Sequence, residues 1–113
     1  MKLNLTKPLV VFDLETTGLD IVKDRIIQIS YIKVYPEGNE ERENLFINPG
    51  KPIPIEVTQL TGISDADVKD APMFKDLATT LNQKFKGCDF YVSIANARQL
   101  RHLYRYWLAR INE

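Results

Sequence analysis

Asp13 and Glu15 stand two residues apart where an apolar run, Leu9-Val10-Val11-Phe12, gives way to acids. A run that short, rich in β-formers and bounded by turn residues, predicts a buried strand. Side chains at i and i+2 share a face of a strand, so both carboxylates should leave the sheet side by side. Adjacent anions at the end of a buried strand repel each other, and a proton or cation between them relieves the cost. Oxygen-loving divalent cations suit that place, since Mg²⁺ takes one or two carboxylates together with waters and substrate phosphates. An Asp-x-Glu alone equally fits a strand running out into solvent. Thr16-Thr17-Gly18 tips the balance by adding hydroxyls, backbone donors and a sharp turn beside the acids.

The elements that must position these acids follow in order. Ile26–Tyr35 reads as a second strand, broken by Pro36-Glu37-Gly38-Asn39, and Glu41–Ile47 as a third, charged enough for a sheet edge. Three strands joined by turns predict an antiparallel meander. The acids of Glu37–Glu43 read as a solvated hairpin. Asn48–Pro54 is a stiff crossing loop, and Ile55–Leu60 a short helix with Pro54 at its start and Gly62 past its end. Ser64 caps a turn carrying Asp65, Asp67 and Asp70, which lacks the glycine and distal glutamate of a calcium loop. Pro72–Lys86 is the clearest helix, with Phe74, Leu77, Ala78, Leu81 and Phe85 on one stripe and Gly87 closing it. Phe90-Tyr91-Val92 should then lie parallel to the first strand.

At Phe12–Leu19 the string Phe-Asp-Leu-Glu-Thr-Thr-Gly-Leu resembles the first motif of the DEDD 3′→5′ exonucleases, and most of all the branch containing the proofreading (epsilon) subunit of bacterial DNA polymerase III. Thr61-Gly62-Ile63-Ser64 resembles a second family segment. The resemblance covers roughly residues 8–90 and implies an α/β, ribonuclease H-like fold, here truncated. It implies two Mg²⁺ or Mn²⁺ ions about 3.5–4 Å apart across the scissile phosphate, with Asp13 and Glu15 as catalytic metal ligands and a histidine as general base. It further implies that Thr16, Thr17 and the nearby backbone hold the 3′-terminal nucleotide, that Thr61 lies beside it, and that Leu19 and Ile63 give its base apolar contact. The partners implied are a DNA or RNA 3′ end and polymerase subunits.

The family's third acid should follow the fourth strand, in an Asn, then Phe-Asp pattern. Here Asn96 matches the asparagine, but Leu100 and Arg101 stand in place of Phe-Asp. No aspartate follows His102, the single histidine, which reads as a surface or packed residue and not as the base. Two carboxylates alone give at most one weak cation site. Gln99-Leu100-Arg101-His102 can be encoded CAA CTT CGA CAT, and one base further on that string reads Asn-Phe-Asp. Residues 1–97 are therefore read as the N-terminal part of the exonuclease domain, and 98–113 as a basic tail, possible product of a frameshift. The tail's Leu100, Leu103, Tyr104, Trp107, Leu108 and Ile111 follow helical spacing opposite Arg98, Arg101, Arg105 and Arg110, the pattern of an amphipathic helix packed on the sheet.

Length and composition bound the rest. One domain at most fits 113 residues, with 44% hydrophobic residues for a core and a formal net charge of zero. Gross charge thus announces no nucleic-acid partner, although residues 1–97 sum to −3 and residues 98–113 to +3. The lone Cys88 fits a reducing compartment and a small buried role. The start, Met1–Pro8, lacks a signal-peptide core and no apolar run reaches membrane-spanning length, so a cytoplasmic protein without a membrane partner is expected. The chain reads as a metal-dependent 3′→5′ exonuclease by resemblance, incomplete and weak or inactive by itself. The alternative is a non-catalytic, nucleic-acid-binding or polymerase-associated fragment.

Overall fold

The computed structural model describes residues 5–18, 20 and 22–92. Leu9–Thr16 forms β1, Ile26–Val34 β2 and Glu40–Phe46 β3; Ile55–Thr61, Asp65–Val68 and Phe74–Phe85 form α1, α2 and α3; Asp89–Val92 forms β4. The sheet order is β3-β2-β1-β4. β1–β2 and β2–β3 pair antiparallel, while β4 lies parallel to β1 with Phe12 opposite Val92. This is the expected meander followed by a helical crossover.

Alternation in β1 sets the layers. Val10, Phe12 and Leu14 are buried and Asp13 is exposed. The buried set meets Ile29 and Tyr31 of β2 and the Phe74, Ala78, Leu81 and Phe85 stripe of α3 in one core. Phe85 lies at its centre, edge-on to Phe12 at 5.0 Å and to Tyr31 at 4.9 Å between ring centroids. Burying a side chain of this kind stabilises by about 1.5–3 kcal/mol. A second cluster, Ile27, Ile53, Ile63 and Val68, fastens the crossing loop and α2 beneath the sheet's end. Cys88 is buried at the end of α3, as its composition suggested.

Element ends depart from the sequence reading by small amounts, for identifiable reasons. α3 begins at Phe74 and not at Pro72, because Pro72 and Met73 are held as extended backbone: Asn48 N donates to Pro72 O at 2.9 Å and Asn48 bridges to Met73. Asp76 then accepts from the Met73 N–H at 3.2 Å and caps the helix. Gly62 ends α1 with φ 78°, a left-handed conformation that glycine adopts without a Cβ penalty. The acidic hairpin is only partly solvated. Glu43 accepts from Tyr31 Oη at 2.7 Å and lies 3.4 Å from Lys84 Nζ, which ties β3 to α3. That bond holds the Glu43 carboxyl below its ordinary range, while burial and then the Glu43 bond push the Tyr31 phenol up. Of the acids weighed against a calcium loop, Asp65 accepts from Ile53 N and Asp67 from Ser64 N, both at 2.8 Å, so both serve the local backbone.

Candidate active site

Asp13 and Glu15 leave the face of β1 opposite α3, in cross-strand register with Ser30 and Gln28. Asp13 is exposed and Glu15 half-buried. The two are electrostatically coupled: burial first, and the Asp13 charge second, raise Glu15's pKa above the ordinary 4.5. A carboxyl pushed that way by a neighbouring anion is one that a divalent cation would relieve, so the donor set fits a hard cation. Among the described residues no third Asp, Glu, His or Cys joins them in a metal-sized cluster. A shallow groove of about 490 Å³ across β1, β2 and β3 includes Asp13 in its lining, with Phe12, Ser30, Tyr31, Arg42 and Glu43.

The turn after the acids is built by a residue that the sequence reading missed. Asp24 Oδ1 accepts from Thr17 Oγ1 at 2.9 Å, and Oδ2 accepts from Asp20 N at 2.7 Å. Thr17 Oγ1 in turn accepts from Arg25 N at 2.9 Å, and Thr17 N donates to Arg25 O at 2.8 Å. Gly18 lies so close over the Asp24 carboxylate that an added Cβ would come within 2.5 Å of Oδ2. This contact, more than backbone conformation, is why the motif carries glycine there. The signal for Asp24 was an acid just ahead of the second strand, but only the folded turn brings it under Gly18.

The nucleotide-contact residues expected from the resemblance therefore separate. Thr16 keeps a half-exposed place beside Glu15, its hydroxyl donating to Gly18 O at 2.7 Å. Thr17 is 3% exposed and its hydroxyl bonds Asp24 and Arg25, so its side chain shapes the turn. Thr61 donates to Val57 O and accepts from Ile63 N, which closes α1. Ile63 is 5% exposed and packs with Ile27, Ile53 and Val68. Leu19, Asn96, Arg101, His102 and the tail 98–113 lie outside the described residues.

Asp24→Ala is expected to cost about 1–3 kcal/mol, because it strands the buried Thr17 hydroxyl without its acceptor. Urea denaturation measures this. In a cycle with Thr17→Val the two losses should be far from additive; full additivity would show that the Thr17–Asp24 bond contributes nothing.

A mixed sheet of this order, three strands antiparallel and the fourth parallel to the first, is a ribonuclease H-like fold. The comparisons with known proteins narrow that class. A family model described as Exonuclease (RNase_T) matches residues 10–113, a longer span than the motifs themselves covered. The chain belongs to this exonuclease family. The PolC-type DNA polymerase III of Caldanaerobacter subterraneus subsp. tengcongensis is 38% identical over 87 residues, which is 77% of this chain and 6% of the relative. That of Streptococcus pneumoniae serotype 2 is 38% identical over 101 residues, covering 82% of this chain and 7% of the relative. The chain thus spans a small part of the length of these relatives. Among solved structures, E. coli exonuclease I in complex with a 5cy-dA13 oligonucleotide aligns with a TM-score of 0.72 at 17% identity, over 95% of this chain and 24% of that one. At that identity the likeness is one of fold. No helix among the described residues is long and apolar enough to cross a membrane.

Proposed function

We propose that this chain carries the first catalytic segment of a metal-dependent 3′→5′ exonuclease, and that by itself it acts weakly or not at all. The observation that carries the reading is the placement of Asp13 and Glu15 on one open sheet face, with Glu15's proton affinity raised in part by its neighbour. Asp13 and Glu15 would hold Mg²⁺ or Mn²⁺. When bound, the cation supplies positive charge that activates water and neutralises the scissile phosphate. Asp13, the exposed member, meets solvent and substrate; Glu15, half-buried, holds its direction because the strand holds its stem. The Thr17–Asp24 clamp fixes the turn, so that Thr16 and the Gly18 backbone keep their places beside the acids. DNA or RNA ends are the substrates this chemistry suits, and PolC-like polymerase subunits are the partners that the relatives suggest.

A second reading, a nucleic-acid-binding or polymerase-associated segment without catalysis, is favoured by Arg101 standing where the family's third acid is expected. A guanidinium there would repel a divalent cation and pair with Asp13 and Glu15 instead. The test is the purified chain with a 3′-labelled oligonucleotide and excess Mn²⁺. The expected result is no more mononucleotide release than from Asp13→Ala. Clear release, abolished by Asp13→Ala, would mean that other residues complete the site and that the proposed incompleteness is wrong. Retained binding of single-stranded ends without cleavage would favour the second reading. Restoring the shifted reading frame after residue 97 is expected to raise release; no rise would remove the frameshift explanation.

A further inference from the structure

Three cations gather at the turn that follows the acid motif. Lys51 of the crossing loop donates to Lys23 O, bringing a distant lysine onto this turn. Arg25 Nη1 donates to Val22 O at 3.0 Å and to Asp24 O at 3.2 Å, so its guanidinium is spent on the loop. Elsewhere Lys7 pairs with Asp89, Arg42 with Glu40 and Lys84 with Glu43, while Lys69, Lys75 and Lys86 stand apart from this turn without an ion pair among the described residues. Lys23 and Lys51 have no carboxylate within ion-pair distance among the described residues. The nearest acid, Asp20, is held low by N–H bonds from Lys23 and Val22 first and only then by the charges of Lys23 and Lys51. Its Oδ1 takes both of those backbone bonds. Asp24 is likewise spent on Thr17 and Asp20.

The position matters as much as the charge. Thr17 is bonded to Arg25 through both its amide and its hydroxyl, so this turn is fixed directly against the end of β1 that carries Glu15. The carboxylates of β1 and the Lys23 and Lys51 ammoniums are thus joined through this turn. A strand whose terminal phosphate sat at the acids would have further phosphates within reach of the neighbouring cations, and lysine suits phosphate as a point charge. We infer that Lys23 and Lys51 form a grip for backbone phosphates of the nucleic-acid strand adjoining the terminal nucleotide. The inference rests on the nuclease reading of Asp13 and Glu15 for the orientation of that strand. The grip would read no sequence, and it would add affinity for a polynucleotide over a mononucleotide.

The experiment measures binding of a fluorescein-labelled oligothymidylate to the full chain between about 50 and 200 mM salt. Lys23→Gln with Lys51→Gln is the test variant. Lys7→Gln with Lys86→Gln removes the same charge at the other end of the sheet, where Lys33 meets the last turn of α3. For single strands each lost phosphate contact lowers the slope of log K against log salt by about 0.7, so the test pair should lower it by about 1.4. The control pair should leave the slope unchanged, and thymidine 5′-monophosphate binding with Mn²⁺ should be unchanged in both. An unaltered slope in the test variant, an equal fall in the control, or no oligothymidylate binding by the unaltered chain would each overturn the grip. A Mn²⁺ titration of the Asp13→Ala/Glu15→Ala variant judges the nuclease reading separately. Mn²⁺ binding lost in that variant, with the slope unaltered in the lysine pair, would sink the grip alone. A fall in slope together with no Mn²⁺ binding by the unaltered chain would leave the grip standing and sink the metal reading.

Discussion

Removing Asp13 and Glu15 together is expected to abolish divalent-cation binding while making the metal-free fold more stable near neutral pH. The sign follows from Glu15, whose pKa in the folded chain is raised above the ordinary 4.5 by burial and then by the Asp13 charge. Between those two values the folded chain binds more protons than the unfolded one, so stability falls as pH rises through the window. Above the raised value the intact pair carries that whole penalty; below the ordinary carboxylate range it carries none. Glu15→Gln keeps the side-chain stem and isolates the charge, so it should show the same gain at neutral pH and lose it on acidification. Added Mn²⁺ should act oppositely on the unaltered chain, stabilising it by about 2.7 kcal/mol at a hundred times its dissociation constant. The Asp13→Ala/Glu15→Ala variant should not respond. Thermal melts at pH 7 and at about pH 3.5, below the ordinary carboxylate value, with and without Mn²⁺ at the higher pH, check both halves. A variant less stable than the parent at pH 7 in Glu15→Gln form, or an undiminished Mn²⁺ shift in the double variant, would contradict the site.

The largest expected loss of stability is at Phe85. The residue is 4% exposed, lies edge-on to Phe12 and Tyr31, and reaches Phe90 at 6.1 Å. Phe85→Ala would remove a ring that three others pack against and open a cavity where α3 meets both β1 and β2. Such changes cost about 3–5 kcal/mol, about a fifth or more of the about 5–15 kcal/mol that holds a typical domain. Far-UV circular dichroism in a urea series should show the midpoint falling sharply or the transition vanishing. Phe85→Leu, which keeps much of the volume, should fall between the two proteins. A midpoint shift below that of Asp24→Ala would mean that the aromatic cluster is not the centre of the core.

Period and spacing were enough for the scaffold because they are local properties. Alternation through Val10, Phe12 and Leu14 makes one face of β1 apolar whatever surrounds it, and the same two-residue period sends Asp13 and Glu15 to the other face. The stripe from Phe74 to Phe85 and the turn residues around it likewise announced α3 and, through the handedness of crossovers, the parallel placing of β4. The neighbours of the motif were decided only by chain segments meeting in space. Thr16 and Thr17 are the same residue type side by side, yet a register shift between Glu15 and Thr16 and the arrival of Asp24 and Arg25 turn Thr17 inward and leave Thr16 half-exposed. Ile63 is brought together with Ile27, Ile53 and Val68, residues from three other parts of the chain. Lys51 joined Lys23 only because the crossing loop passes over that turn. Such outcomes depend on contacts between positions far apart in the chain, where a single residue's character does not say which partner will reach it.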